Sequence, residues 1–523
     1  MEKHIFRLAS ILLLGFLVVA GALGYWQVWE ADTLVARANN PRLQEEEARI
    51  ARGTIVDRYG VVLARSVGDT GRREYAYPAL AHVLGYHSAR FGSAGLEAVY
   101  DAYLRGARSG NLLSRLANQL LHRRPVGADL VLTLDAALVQ VAAEALGDSA
   151  GAAVALDPRS GEVLAMVSTP YFDPARLDEQ WEALRAAPSA PLVPRATEGL
   201  YTPGSVFKIV TAGAAIDLNR VLVDAPHDCT TDLVVEGFRI AQKNHPHLRR
   251  VTFAQDFAWS DNVTFAKIGL GLGTTGPIDL DDAAPRPYPW EREGIAASVQ
   301  RLLEYAQRFG FNQRIPFDLP VAVSKTAPRE AFTPTELAST AFGQGQLQVT
   351  PLLMALIAAT VANGGAMPAP YLVAAIRDPD GTLQRPHLPG SRLRQVVRPE
   401  TAATLNRLMV QSVEEGYARP AKIPGVAVAG KTGTAEVGPD QAPHAWFVGY
   451  APADNPRIAV AVVMEHRGSG AEAAAPAARR IMEAALARPQ AAALSAAPVD
   501  AARAEPVAGS PLSSVYCPLP VHG

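Results

Sequence analysis

One short segment places two residue types that can catalyse acyl transfer beside each other. In "YTPGSVFKIV", Tyr201–Val210, Ser205 and Lys208 stand three residues apart in an apolar run. Residues at this spacing share one face of a helix, so the lysine amine can reach the serine hydroxyl. A serine hydroxyl is a weak nucleophile until a base removes its proton. Apolar neighbours should desolvate Lys208 and lower its pKa towards neutrality, which would make it that base.

Two later segments strengthen this interpretation. Ser260-Asp261-Asn262 lies in "FAWSDNVTFAKIGLGL", where a helical pattern is interrupted and then resumes, and Lys431-Thr432-Gly433-Thr434 lies in the strand-like "VAVAGKTGTAE". Taken alone, a serine and a lysine three apart could equally be a helix cap and a surface lysine. The ordered series Ser-x-x-Lys, Ser-Asp-Asn and Lys-Thr-Gly is instead a signature of penicillin-binding proteins and class A β-lactamases.

Composition limits the other possibilities. The chain has 523 residues, of which 49% are hydrophobic, and a formal net charge of −2. This length suggests two to four domains, and the near-neutral charge gives no electrostatic case for a nucleic-acid partner. Two cysteines, Cys229 and Cys517, are too few for a disulfide framework or a cysteine-rich zinc site. We therefore expect a protein without a metal or cofactor.

The N-terminus predicts a membrane anchor. "LASILLLGFLVVAGALGYW", Leu8–Trp26, carries no charge and follows Lys3 and Arg7. As a helix it would span about 28 Å, close to the ~30 Å hydrocarbon core of a bilayer. Basic residues before the span predict a cytoplasmic N-terminus and an extracytoplasmic catalytic domain in a single-pass protein of the cell membrane. A cleaved signal peptide is the alternative, since Ala20-Gly21-Ala22 is similar to a cleavage site.

The order of strand and helix patterns predicts an α+β fold. Gly151–Ser168 is typical of a β-hairpin, and strand patterns return at Val426–Glu436, His444–Pro452 and Arg457–Glu465. Because helical patterns separate these two groups, we expect one antiparallel sheet built from both ends of a domain, flanked by helices, with an all-α subdomain. Four divisions are predicted: an anchor at 1–28, an N-terminal module at 29–128, the catalytic domain at 129–488 and a disordered Ala/Pro-rich tail at 489–523.

Together with these motifs, several longer segments resemble the class B penicillin-binding proteins, the monofunctional peptidoglycan D,D-transpeptidases. They are "RGTIVDRYG", "GLEAVYDAYLRG", "ALDPRSGEVLAMVSTPYFDP" and "FGQGQLQVTPLLMALIAATVANGG", and with the motifs they span most of Arg52–Glu465. The resemblance implies the penicillin-binding/serine-β-lactamase-like transpeptidase fold. It also implies stem-peptide substrates of peptidoglycan and covalent inhibition by β-lactams.

The family's roles transfer to this sequence by motif. Ser205 would attack the D-Ala–D-Ala carbonyl, with Lys208 as the base. Ser260 would relay a proton to the leaving amine, while Asn262 would bind the substrate and hold Lys208. Lys431 would favour the substrate carboxylate and poise Ser260.

Substrate binding is assigned to the rest of the third motif. The hydroxyls of Thr432 and Thr434 would contact the terminal carboxylate. The backbone N–H groups of Ser205 and Thr434 would form the oxyanion hole. Gly433 would leave room for the substrate backbone, unless it is simply a bulge in the strand.

Other functions on the same fold remain open. A class A β-lactamase needs a water-activating glutamate, and no glutamate between Asn262 and Lys431 has an asparagine four residues on. A D,D-carboxypeptidase differs only in the acceptor, and a β-lactam sensor would usually carry a signalling domain. The N-terminal module is too short for a glycosyltransferase. The family therefore implies a separate partner, a SEDS-type membrane glycosyltransferase.

Overall fold

A five-stranded antiparallel sheet, here called the central sheet, organises the catalytic domain. The computed structural model describes residues 2–26, 51–67, 72–108, 126–242, 248–281, 294–438 and 440–488. The strands of the central sheet follow the spatial order Ala429–Ala435, His444–Ala451, Ile458–Met464, Gly151–Leu156 and Val163–Thr169. Strands from the two ends of the domain meet where Val462 pairs with Ala153. The prediction of one sheet built from both ends is confirmed.

Helices from both ends of the domain cover the central sheet. Ala136–Leu146 and Ala474–Leu486 pack against it and against each other, while Pro351–Ala362 packs on its middle strands and Pro399–Glu414 on the Ala429–Ala435 strand. Residues of Pro351–Ala362 are almost all buried, as expected for a helix that is apolar on every side. This arrangement places the Ala429–Ala435 strand at the open edge of the sheet.

A helical subdomain lies beside that edge. The helix Lys208–Asp217 leads into this subdomain. Its own helices are Phe253–Ala258, Asn262–Gly271, Ala296–Arg308 and Pro334–Ala341. The apolar stretch Thr335–Ala362, whose sequence is compatible with one long helix, forms parts of two helices joined by a loop. A new helix starts at Pro351 because Thr350 caps it, its side chain accepting from the Leu353 N–H, and because proline suits a first turn.

A second, six-stranded sheet lies towards the N-terminus. Its strand order is Leu383–Gln384, Val373–Arg377, Asp129–Leu132, Ile55–Val56, Val62–Val67 and Arg72–Tyr75. The strands Ile55–Val56 and Val62–Val67 form a hairpin, and Asp57 Oδ1 accepts from the Tyr59 and Val61 N–H groups across its turn. Small elements complete this region. They are the strands His87–Ser88 and Gly92–Ser93 and the helices Ala81–Leu84, Gly95–Val99 and Asp101–Leu104.

Three further strand pairs and two short helices connect these units. They are Pro226–Asp228 with Arg250–Thr252, Asp232–Val235 with Phe238–Ala241, Ala366–Pro368 with Arg392–Gln395, and the helices Leu177–Ala186 and Arg195–Glu198. The predicted tail at 489–523 and residues 29–50 of the predicted N-terminal module lie outside the described residues.

The N-terminal helix Glu2–Gly24 has the character of a membrane anchor. Its segment His4–Gly24 has a mean hydropathy of 2.3, and none of that segment is buried against the described chain. Its length suffices to cross a bilayer. A signal sequence near an N-terminus has the same length and composition, so the helix supports membrane targeting without fixing the topology.

Candidate active site

The nucleophile turn, defined as Gly204–Phe207, is a 3₁₀ turn that leads directly into the helix Lys208–Asp217. Gly204 has φ +58°, a conformation that suits glycine. A Cβ atom on Gly204 would lie 2.7 Å from the Thr434 carbonyl oxygen, and one on Gly343 would lie 1.7 Å from the Gly204 carbonyl oxygen. The turn is therefore held between the Ala429–Ala435 strand and the Gly343 loop, and both positions require glycine.

Ser260 lies in a tight turn between two helices. Phe253–Ala258 ends before it and Asn262–Gly271 begins after it. Ser260 has φ +61°, which is unfavourable for a residue with a side chain. Asp261 compensates by capping the second helix, because its Oδ1 accepts from the Thr264 N–H at 2.7 Å.

Lys208 is the centre of the site. Its side chain is fully buried, and its Nζ lies 3.1 Å from Ser205 Oγ, 3.1 Å from Ser260 Oγ, 2.7 Å from the Ser260 carbonyl oxygen and 2.7 Å from Asn262 Oδ1. Four of the five predicted catalytic side chains thus meet at one amine. No carboxylate appears among these hydrogen-bond partners.

These contacts suit a neutral amine at Lys208. The two shorter ones go to oxygens that can only accept, the Ser260 carbonyl and the Asn262 amide oxygen. A neutral amine has two N–H donors for these oxygens and keeps one lone pair, which a serine hydroxyl at 3.1 Å can approach. Burial lowers the pKa of Lys208 far below its usual value, and the charge of Lys431 adds to that shift, while Asp261 and Asp256 oppose it.

Lys431 is the second buried lysine of the site. It is fully buried, its Nζ donates to the Thr432 carbonyl at 3.1 Å and lies 5.8 Å from the centre of the Phe257 ring. Burial lowers the pKa of Lys431 to about 7. The amine therefore titrates near neutral pH, and when protonated it places a positive charge beside Lys208.

The third motif lies on a strand as predicted, and this strand is at the edge of the central sheet. Thr434 is exposed and Thr432 is buried, and the strand pairs with His444–Ala451 without a bulge. A Cβ atom on Gly433 would lie 2.9 Å from the Pro203 carbonyl oxygen and 3.1 Å from Val206 Cγ1. The close approach that requires glycine here is therefore to the nucleophile turn, and clearance for a substrate stays a prediction.

Some residues of the site were not singled out from the sequence. Gly343 supports the nucleophile turn, Gln344 Nε2 donates to the Thr434 carbonyl at 3.4 Å, and Trp446 Nε1 donates to the Thr202 carbonyl at 3.0 Å. The Gly-Gln-Gly pattern in "FGQGQLQV" indicates a loop at these residues, but it does not indicate that the loop contacts the nucleophile turn. Among the residues that the structure describes, no group of three His, Cys, Asp or Glu side chains could hold a metal ion.

Fold and site together define a serine acyltransferase of the penicillin-binding type, and comparison with known proteins agrees. Residues 151–483 match the penicillin binding protein transpeptidase domain, and residues 52–130 match the penicillin binding protein A dimerisation domain. The chain therefore belongs to the penicillin-binding protein transpeptidase family.

Individual relatives refine this placement. The peptidoglycan D,D-transpeptidase PbpA of Mycolicibacterium smegmatis is 35% identical over 510 residues, covering 91% of this chain and 97% of that protein. The structure of penicillin-binding protein A from M. tuberculosis as a ceftriaxone acyl-enzyme complex matches with a TM-score of 0.74 and 32% identity, covering 85% of this chain and 100% of that one. MrdA of Acinetobacter baumannii is 28% identical over 423 residues, covering 74% of this chain and 59% of that protein. The predicted class B family, fold class and serine-type transpeptidase are confirmed.

Proposed function

We propose that this protein cross-links peptidoglycan as a D,D-transpeptidase, with Ser205 as the nucleophile and Lys208 as its base. The observation that carries the proposal is the buried Lys208 amine, which lies 3.1 Å from Ser205 Oγ and whose described hydrogen-bond partners are all neutral oxygens. Ser205 attacks the penultimate D-Ala carbonyl of a stem peptide, its proton passes to Lys208, and the terminal D-Ala leaves. An amine from a second stem peptide then attacks the acyl-enzyme.

The remaining motif residues take supporting roles. Ser260 Oγ also lies 3.1 Å from Lys208 Nζ, so it can pass that proton on to the leaving amine. Asn262 holds the Lys208 amine and binds the donor peptide. Lys431, with Thr432 and Thr434, favours the terminal carboxylate of the substrate. Gly433 lets the nucleophile turn approach the strand.

Covalent labelling tests the nucleophile. A fluorescent penicillin should acylate the full chain, because a β-lactam imitates the D-Ala–D-Ala carbonyl that Ser205 attacks. Ser205→Ala should abolish the label while the protein stays folded, as judged by its melting temperature. Labelling that persists in Ser205→Ala would refute the assignment, and rapid release of the bound penicillin would indicate a β-lactamase.

Product analysis distinguishes the acceptor. The protein is given a stem-peptide thioester with and without a D-amino acid, and the products are identified by mass spectrometry. The exchange product is expected when the D-amino acid is present. Hydrolysis alone in both reactions would indicate a D,D-carboxypeptidase.

We further infer the organisation around this activity. Residues 1–28 anchor the chain with a cytoplasmic N-terminus, residues 29–128 form the N-terminal module and residues 129–488 form the transpeptidase domain, while the predicted tail at 489–523 lies outside the described residues. Because the chain has a match to a transpeptidase domain and none of the predicted parts is a polymerase, glycan strands must come from a partner, a SEDS-type membrane glycosyltransferase. Co-purification of such a partner with the full chain, and its loss when residues 1–28 are replaced by an unrelated anchor, would test this inference.

A further inference from the structure

A histidine and an aspartate behind the Ser260 turn are not used by the chemistry described above. His227 lies on the strand Pro226–Asp228, whose partner strand runs into the helix that carries Asp256. Both side chains are buried, at 6% and 1% exposure, and His227 Nε2 lies 2.9 Å from Asp256 Oδ2. At this distance the two groups form an ion pair when His227 is protonated.

The surroundings of His227 favour its charged form. Its Nδ1 lies 3.1 Å from the Asp228 carbonyl oxygen, which can only accept, so Nδ1 carries a hydrogen. Its Nε2 faces a carboxylate, so a second proton there is stabilised by charge. Burial alone would lower the pKa of His227, but the contacts with Asp256 and with the Asp228 carbonyl outweigh burial and raise it.

Asp256 connects this pair to the catalytic turn by two routes. Its main-chain carbonyl accepts from the Asp261 N–H at 2.8 Å, and its Oδ2 accepts from Thr264 Oγ1 at 3.0 Å. Asp261 in turn caps the helix through the Thr264 N–H. The strained Ser260 lies directly before Asp261, and its carbonyl holds the Lys208 amine at 2.7 Å. The two residues are thus linked to Lys208 through one short chain of contacts.

We propose that His227 and Asp256 are positioning residues for acylation, which hold the Ser260 turn against Lys208 and set the negative charge that Lys208 experiences. The inference rests on the proposed roles of Ser205 and Lys208. An unpaired carboxylate at Asp256 would favour a protonated Lys208, which cannot accept the serine proton. A positive His227 offsets that charge while leaving the hydrogen bonds of Asp256 intact.

Other charges also surround the pair and the base. Asp228, Asp281 and Arg250 lie on the strand side of His227, with Arg250 3.9 Å from Asp281. Lys431 and Asp261 act on Lys208 from the catalytic side. None of the proposed variants alters these groups, so their influence is common to every protein compared.

The main test is the pH dependence of acylation in Asp256→Asn. The second-order rate of labelling by a fluorescent penicillin is measured on the full chain in detergent from pH 5.5 to 9.5. The wild-type rate should fall at acid pH as Lys208 becomes protonated. Because the asparagine removes a negative charge that raises the pKa of Lys208, this fall should move to lower pH by about half a unit or more. A fall at the wild-type pH, or at higher pH, would overturn the inference.

Two substitutions of His227 separate charge from packing. His227→Gln removes the positive charge that His227 places beside Asp256. The plateau rate should therefore decrease about 3- to 10-fold, and the decrease of the rate at acid pH should begin at a higher pH. His227→Lys restores a positive charge with a different shape and should recover most of the lost rate. If His227→Lys is no faster than His227→Gln, charge plays no part and the proposal fails.

The chain offers a control in a second histidine–aspartate pair, His387 and Asp318, in which Asp318 is buried and His387 is partly exposed. Their Nε2 and Oδ1 atoms lie 2.8 Å apart, and the hydrogen bonds of Asp318 go to Tyr100 and to the Leu372 and Val373 N–H groups rather than to the catalytic residues. Asp318→Asn should lower the melting temperature but should not change the pH at which the acylation rate decreases on the acid side. A shift equal to that of Asp256→Asn would show that any buried aspartate has this effect and would refute the specific role.

The outcomes also separate this inference from the proposed function. If the wild type is not labelled, or if Ser205→Ala is, the proposed function fails. If the wild type is labelled and Asp256→Asn shows an identical pH profile, only the inference fails. If Asp256→Asn does not fold, Thr264→Val removes one hydrogen bond of Asp256 without a change of charge. This variant should lower the plateau rate of acylation several-fold without changing the pH at which the rate decreases on the acid side. An unchanged plateau rate would contradict a positioning role for Asp256.

Discussion

Two clusters of buried cations in this molecule are built in opposite ways. In the N-terminal region, Arg52 and Arg73 both pair with the fully buried Glu97, at 2.9 and 2.6 Å, and Arg52 also pairs with Asp101. In the active site, Lys208 and Lys431 are fully buried, and the hydrogen bonds described for them go to neutral oxygens.

The difference follows from the chemistry of the two side chains. A guanidinium does not lose its proton in a protein, so its burial requires an anion. A lysine amine can be buried without one, because it can become neutral. The paired arginines therefore stabilise the fold, whereas the proposed mechanism requires the active-site lysines to exchange protons.

The largest expected effect is on acylation in Lys208→Ala. Removal of a general base typically costs about 10²- to 10⁴-fold in rate. The melting temperature should change little, because burying the lysine amine already costs solvation free energy that alanine does not incur. The control is Lys422→Ala, which removes an exposed lysine paired with Glu414 and should label at the wild-type rate. Labelling of Lys208→Ala within threefold of wild type would contradict the assignment of the base.

For Glu97→Gln we expect a loss of stability without a loss of acylation. Breaking a buried ion pair by removing one partner costs roughly 3–5 kcal/mol, and here two guanidinium groups lose their common anion. Urea unfolding should therefore show a large loss of stability. The acylation rate per folded molecule should remain that of wild type. A stable variant that has lost acylation would show that the two clusters are not separate in function.

Lys431→Met tests the cost of a buried lysine. Because the folded pKa is about 7 and the usual value is 10.5, the unfolded chain binds a proton between these pH values that the folded chain does not. Wild-type stability should therefore rise with pH across this window. Methionine removes this penalty, so the variant should be more stable at pH 7 by up to about 4 kcal/mol, with the gain vanishing towards pH 10.5. A variant less stable than wild type at pH 7 would contradict the idea that Lys431 is kept for function.

The sequence predicts local parts of the site far better than the contacts behind it. The spacing of Ser205 and Lys208 and the strand around Lys431 follow from local periodicity, and the structure places these segments together. The contact between Gly204 and Gly343 joins residues far apart in the chain, and so does the pair of His227 and Asp256. No local pattern encodes such contacts, since they depend on how the subdomains pack.

For the fold as well, local patterns predict the elements but not the contacts between elements that are far apart in the chain. Short apolar runs predict the strands of the central sheet, and the order of the elements predicts that the two ends of the domain meet in it. The strand Val373–Arg377 instead pairs with Asp129–Leu132 in the other sheet, across more than half of the catalytic domain. Its apolar pattern is compatible with either sheet, so pairing had to be decided by tertiary packing.

The smallest effect is expected for an exposed ion pair, which completes the comparison. Arg407 pairs with Asp224 through two contacts of 2.6 and 3.0 Å, but the side chains are 52% and 69% exposed. Asp224→Asn should cost less than about 1 kcal/mol, and moderate salt should remove most of that difference. The measurement is the urea midpoint at low and high ionic strength, beside Glu97→Gln. A loss as large as that of Glu97→Gln would mean that geometry and not burial decides the strength of these pairs. The contrast between paired arginines and unpaired lysines would then need another explanation, because it assumes that a charge is costly only where water is excluded.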